Sequence, residues 1–260
     1  MTRAAGRLLI AAAWLAVIGQ LNTAWAFIEP PALAAAVKAG GLPPIAERLP
    51  VTPQVVQFKA PNRTPGRYGG NLRILMGKPK DVRIMTVYGY ARLVGYDEDL
   101  RIVADILEKF EVKEGRRFTL YLRKGHKWSD GYPFTAEDFR YYWQDVANNK
   151  ELSPSGLNPK LKVDGKGPKF EVLNETTVRY TWDKPNPLFL PALAGSAPLY
   201  IYRPAHYMKQ FHRRYTDPEK LAKMAKAAEL RGWAALHKSK DRMYRGDNPD
   251  LPSLQPWVNT

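Results

Sequence analysis

The chain has 260 residues, no cysteine, 22 prolines, and 40 Lys and Arg against 25 Asp and Glu, a formal net charge of +15. Lack of cysteine excludes disulfides, thiolate metal sites, a cysteine nucleophile and a cysteine-linked lipid anchor. The length suits one large domain or two small ones.

At the amino terminus, Arg3 and Arg7 form a positive region without an acid. Leu8 to Ile18 is an apolar run, and Ala24-Trp25-Ala26 has the small-x-small form of a cleavage site. Residues 1–26 therefore read as a secretory signal peptide, cleaved after Ala26 to leave Phe27 first. An uncleaved anchor helix is the competing reading. Gln20, Asn22 and Thr23 argue against it, because they interrupt the run before the roughly 20 residues a membrane span needs. Removing Arg3 and Arg7 with the signal takes the net charge from +15 to +13.

Residues 27–68 carry prolines at 30, 31, 43, 44, 50, 53, 61 and 65 and read as an extended arm lying on a surface rather than as an independent domain. Ala32 to Ala39 has room for about two helical turns before Gly40-Gly41 stops them. Asn62-Arg63-Thr64 and Asn174-Glu175-Thr176 match the glycosylation acceptor pattern, but three-residue matches arise easily by chance.

The stretch from Arg117 to Val146 is the most informative. Phe118, Leu120 and Leu122 alternate with polar or amphipathic neighbours as in a half-buried strand, and Asp130-Gly131 is a turn whose glycine can take positive φ. Thr135 is placed to cap a helix by accepting from the N–H three residues on. Glu137 and Asp138 put negative charge at the helix start, and Phe139, Tyr142, Trp143 and Val146 recur at i, i+3, i+4 and i+7. On physics alone this is well-formed core.

Residues 209–245 form the basic region. Thr216-Asp217-Pro218-Glu219 reads as a capping box with proline in the first turn. Leu221, Met224, Ala225 and Ala228 make the apolar stripe, and Lys220, Lys223 and Lys226 a solvated face. A nucleic-acid partner is not expected, since no recognisable binding module accompanies the charge and such proteins do not normally carry a secretion signal.

Catalytic patterns are poor. His206 and His212 are too far apart for an i, i+4 metal pair, His126 falls in a surface turn, and His237 lies on a basic segment. No Gly-x-Ser-x-Gly, His-Glu-x-x-His or phosphate loop is present. Adjacent Glu137 and Asp138 point in different directions on a helix, so capping explains them better than acid–base work. The expectation is a non-enzyme without cofactor or metal.

Residues 122–139, Leu-Arg-Lys-Gly-His-Lys-Trp-Ser-Asp-Gly-Tyr-Pro-Phe-Thr-Ala-Glu-Asp-Phe, resemble the signature of the large solute-binding proteins of ABC transporters, the oligopeptide, dipeptide and nickel-binding family. Other segments resemble the family in order. Gly69 to Ile74 is similar to its opening glycine pair and first strand, followed by Arg92 to Tyr96, Ile102 to Val112, the hairpin Phe170 to Pro187, and Tyr200 to Tyr207. Asn248 to Trp257 is similar to the passage leading to the second lobe. The resemblance covers about residues 69–260.

That resemblance implies an α/β (mixed α+β) fold, a type II periplasmic-binding-protein-like lobe of the large peptide-binding subclass. It implies a lobe over 69–260 with a smaller peripheral subdomain at about 80–168, the second lobe missing and the chain an amino-terminal fragment. The implied function is capture of a peptide or similar small solute in the periplasm, by hinge closure, for delivery to ABC permease subunits in the inner membrane. The implied full-length protein is a monomer. The loop Met85 to Tyr90 lies where family members approach the ligand, so Val87, Tyr88, Gly89 and Tyr90 are the candidate ligand contacts, with Ser153 to Gly156 as a second loop. Ordinary packing is the competing reading for both tyrosines. A secreted basic interaction protein, or a relic without transport activity, is the alternative function.

Overall fold

The structure is a computed structural model that describes residues 27–56, 63–69, 73–78, 81, 84–243 and 248–256, without the side chains of Thr86 and Tyr88. The signal segment and its cleavage point lie outside the described residues, as do Gly70, Asn71 and Leu72 of the expected first strand; Arg73 and Ile74 belong to no strand.

In the arm, Pro31 at the first helical position starts α1 (Pro31–Lys38), which buries none of its residues. Gly40, at φ 73°, ends it, with Gly41 N–H bonded back to Ala36 O at 2.9 Å. Glu29 then holds α2 (Ile45–Arg48), accepting from Ile45 N at 3.1 Å and ion-pairing with Arg48. The arm is stitched to the body through Val51 N to Lys124 O (2.9 Å) and Arg123 Nη1 to Thr52 O (3.0 Å).

After α3 (Met85–Gly89), β1 (Val94–Tyr96) and β2 (Ile102–Ala104) form an antiparallel pair. A second, four-stranded sheet follows from β3 (Leu107–Lys113), β4 (Arg117–Leu122), β5 (Lys169–Asn174) and β6 (Thr177–Thr181), in the spatial order β3-β4-β6-β5 with every pair antiparallel. The hairpin expected over 170–187 is therefore present, and the sheet has strands on both sides of residue 168. Alternation decides its faces: Phe118, Leu120 and Leu122 of β4 point into the core with Val178 and Tyr180 of β6.

The expected helix forms, in two parts. α4 (Ala136–Tyr141) begins at Thr135, whose hydroxyl accepts from Glu137 N at 3.3 Å while the Asp138 carboxylate accepts from Thr135 N at 2.9 Å, a capping box. From Tyr142 to Ala147 it widens into a π-helical turn. The i→i+5 pitch brings side chains five apart into reach, and Arg140 Nη1 meets Asp145 Oδ2 at 3.0 Å. Phe139, Tyr142 and Val146 are buried, and Trp143 packs half-exposed on Phe170.

The main core is aromatic. Phe118 meets Trp182 and Phe189 edge to face at 5.6 and 5.0 Å, and Phe134 does the same with Trp128 and Tyr202 at 5.4 and 5.3 Å. α5 (Phe189–Ala194) contributes Phe189 and Leu193, and α6 (Ala205–Met208) contributes Met208. A smaller core of Phe211, Leu221, Ala225 and Leu236 joins α7 (Pro218–Ala227) to α8 (Trp233–Lys240).

Two local readings need correction. Met85 to Gly89 is a helical turn rather than a loop. α7 is capped by Asp217, whose carboxylate accepts from Glu219 N (2.9 Å) and Lys220 N (3.0 Å); Thr216 instead donates its hydroxyl to Lys209 O at 3.1 Å. Proline at 218 fixes the first helical residue, so the cap falls on the residue before it. Ala228 is exposed at the end of the stripe.

Candidate functional site

The candidate contacts sit on α3 and at its carboxyl end. Val87 is exposed, Gly89 half-buried, and nothing of the Tyr88 side chain is described. Tyr90 ends the helix in the left-handed region, φ 44° and ψ 36°, which is sparsely populated for a residue with a β-carbon. Its hydroxyl donates to Ala194 O at 2.8 Å and accepts from Tyr96 N at 3.3 Å. Both roles of the phenol are thus committed within the chain, which makes Tyr90 a positioning residue that ties α3 to β1 and to the end of α5. A β-carbon at Gly95 would stand 3.3 Å from Tyr90 Cε1, so the glycine leaves the space that the ring edge uses.

Arg92, two residues on, is a strut that sequence reasoning missed. It is 1% exposed, and its guanidinium donates to Gly195 O (3.0 Å), Ser196 O (3.2 Å) and Ala91 O (2.9 Å), while its N–H donates to Asp105 Oδ2 at 2.8 Å. Burial raises the Asp105 pKa, against the pull of the Arg92 N–H and the Arg123 and Arg92 charges. Gln255 Nε2 closes the same junction, donating to Ala91 O at 3.0 Å. A charge inside the apolar run Ala91-Arg92-Leu93-Val94 was the available signal, because a guanidinium there must find buried acceptors.

The second candidate loop is a closed turn. Gly156, at φ 74°, donates to Ser153 O at 2.9 Å, and Ser153 Oγ donates to Val146 O at 2.9 Å. The structure does not put a hydrogen bond between this turn and α3 among the described residues.

The signature segment is an architectural node. The Asp138 carboxylate accepts from Trp128 Nε1 (3.2 Å), Thr135 N (2.9 Å) and Ala205 N (2.9 Å). Asp145 is a second node: Arg140, Arg214 and Tyr215 donate to its carboxylate at 3.0, 2.9 and 2.7 Å, and His212 lies against its carbonyl at 3.1 Å. His237, 1% exposed, meets the Tyr141 hydroxyl at 2.8 Å. His206 pairs with Asp130 at 2.7 Å and stacks on Tyr132. Among the described residues no group of three or more His, Asp or Glu could hold a metal ion, and no helix is long and apolar enough to cross a membrane.

The body is a mixed α/β fold with antiparallel sheets whose polar nodes are spent on architecture. The chain belongs to the bacterial extracellular solute-binding proteins, family 5, whose middle region matches residues 101–232. It is 33% identical over 204 residues to the periplasmic alpha-galactoside-binding protein of Rhizobium meliloti (strain 1021), a match covering 69% of this chain and 28% of that protein. The periplasmic oligopeptide-binding protein OppA of Salmonella typhimurium is 29% identical over 140 residues, 49% of this chain and 25% of that one. A solved oligopeptide-binding protein OppA is similar in structure, with TM-score 0.77, 33% identity, and coverage of 89% of this chain and 35% of that chain. The chain thus matches about a quarter of the length of these two curated relatives.

Proposed function

We propose that this chain serves solute capture for an ABC importer, holding a peptide or similar small solute in the periplasm for delivery to permease subunits in the inner membrane. The observation that carries this reading is α3, which exposes Val87 on a helical turn held at its carboxyl end by Tyr90 and Arg92. A contact surface on so firm a base loses little further freedom when a ligand arrives. Val87, Tyr88 and Gly89 form the contact surface, and Tyr90 sets its orientation. Relatives named for α-galactosides and for oligopeptides support a small organic solute, and the peptide is our choice within that class. Export by the signal peptide, with Phe27 as first residue, and a monomeric state of the full-length protein belong to the same proposal.

Calorimetric titration of the chain with a mixture of short peptides, and separately with an α-galactoside, tests it. Saturable peptide binding that Val87→Asp weakens at least tenfold, with the melting temperature unchanged, is the expected result. Binding of neither solute, or affinity indifferent to Val87, overturns it.

A further inference from the structure

The outer face of the four-stranded sheet carries an arrangement that the binding role does not use. Register places Lys113 opposite Arg117, Arg117 opposite Thr181, and Thr181 opposite Lys169, so one line across all four strands holds three cations, one hydroxyl and no carboxylate. At about 4.8 Å between strands the line is roughly 14 Å long. Like charges directly opposite each other oppose strand pairing, and Lys113 and Arg117 are such a pair. Neither has an ion pair among the described residues.

The next line across the face holds Glu111, Thr119, Arg179 and Glu171. Its acids are engaged by neighbours on their own strands: Glu171 with Lys169 at 2.8 Å and Glu111 with Lys109 at 3.4 Å. Lys169, with Arg179 and Arg117 behind it, pulls the Glu171 pKa down, so the basic field reaches across the sheet. In the third line Lys109 Nζ lies 4.3 Å from the centre of the Tyr121 ring. Five cations, two acids and a tyrosine thus share one pleated face. α4 lies on the opposite face, where Phe139 and Val146 join the core with Leu120, Val178 and Tyr180.

We propose that this face docks the protein on an anionic phospholipid membrane. The cations are spread over all four strands of the sheet rather than gathered at one point, which suits many headgroups and not one small anion. An amphipathic tyrosine among them matches the side chain favoured at a membrane–water boundary. The net charge, +15 for the whole chain and +13 once Arg3 and Arg7 leave with the signal, adds long-range attraction to an anionic membrane.

Co-sedimentation of the full chain with vesicles of phosphatidylcholine alone, or of phosphatidylcholine with phosphatidylglycerol, tests the proposal. Binding is expected to the anionic vesicles only and to fall as salt rises. The double variant Lys113→Gln/Arg117→Gln should bind roughly 25-fold more weakly, about fivefold for each charge removed. Its thermal stability should equal or exceed that of the parent, since the opposed charges are gone. Lys220→Gln/Lys223→Gln/Lys226→Gln on α7, the other basic surface, should bind within a fewfold of the parent. No binding to anionic vesicles at low salt overturns the proposal. So does loss of binding in the α7 variant with the sheet variant unaffected, or displacement by millimolar inorganic phosphate, which would mark a small-anion site.

Discussion

The indole N–H of Trp128 donates to Asp138 Oδ2 at 3.2 Å, joining the turn before α4 to the helix's own capping carboxylate. Two further N–H groups, from Thr135 and Ala205, end on the same carboxylate. One buried side chain thereby satisfies donors from three places in the chain. Asp138→Ala leaves those donors unpaired in the core, and an unfolding free energy lower by about 3 kcal/mol or more is expected. Thr135→Ala removes a single cap contact and should cost about 1 kcal/mol. Urea denaturation of both variants checks the ordering; equal losses would mean that Asp138 is only a cap.

Acid should act through the histidines. Burial, with the nearby His212, Arg203 and Lys238 charges, lowers the His237 pKa to about 3, and burial beside Arg123 lowers that of His126 to about 4, against 6.5 when exposed. A depressed histidine adds stability above pH 6.5 that is lost as pH falls toward the folded value, by up to about 1.4 kcal/mol per pH unit for each group. Asp138 has the opposite sign. Burial raises it to about 7, against the pull of the N–H groups of Ala205, Thr135 and Trp128, so its contribution is full below 3.8 and fades as pH rises through 7. His237→Gln should therefore flatten the decline of stability between pH 6.5 and 4. Identical slopes in the two proteins would show that His237 takes up its proton as readily in the fold as in the unfolded chain.

Local periodicity and cap chemistry make much of this fold legible in the sequence. The alternation of Phe118, Leu120 and Leu122, the Thr135 cap and the turn at Gly131 each depend on residues a few positions apart. What stayed hidden is long-range. Arg92 finds its acceptors at Gly195 and Ser196, and His237 finds Tyr141, across about a hundred residues. No local pattern encodes those distances. The α7 cap falls on Asp217, one residue past Thr216, although both are good caps, because Thr216 bonds instead to Lys209 O. Of the candidate contacts, Val87 is on the surface, whereas Tyr90 is held by bonds to residues far away in sequence.

Arg203 and Asp241 form a buried ion pair, 14% and 9% exposed at the side chain, with the guanidinium also donating to Tyr200 O and Tyr202 O at 3.2 and 2.8 Å. Asp241→Ala strands the guanidinium beneath α8, and a loss of about 3–5 kcal/mol is expected. Replacing both partners, as Arg203→Met/Asp241→Leu, should cost less than either single change because no unpaired charge is left behind. Denaturant midpoints for the three variants decide the matter, and a double variant worse than both singles would refute this account.

The support under α3 can be probed without touching the exposed surface. In Gly95→Ala the new β-carbon would stand 3.3 Å from Tyr90 Cε1 and 3.9 Å from Asp105 Cβ, so the ring must yield by a few tenths of an ångström. The phenol then loses its 2.8 Å alignment with Ala194 O. A stability loss of about 1 kcal/mol, the worth of one such hydrogen bond, is expected. Tyr90→Phe removes that hydrogen bond and the one accepted from Tyr96 N, without the clash, and should cost about 1–2 kcal/mol, whereas Gly95→Ala in the Tyr90→Phe background should cost clearly less than it does alone, since the two changes act on one contact. If the two losses simply add in thermal unfolding, Gly95 acts elsewhere, and the case for Tyr90 as the residue that orients Val87 loses its structural footing.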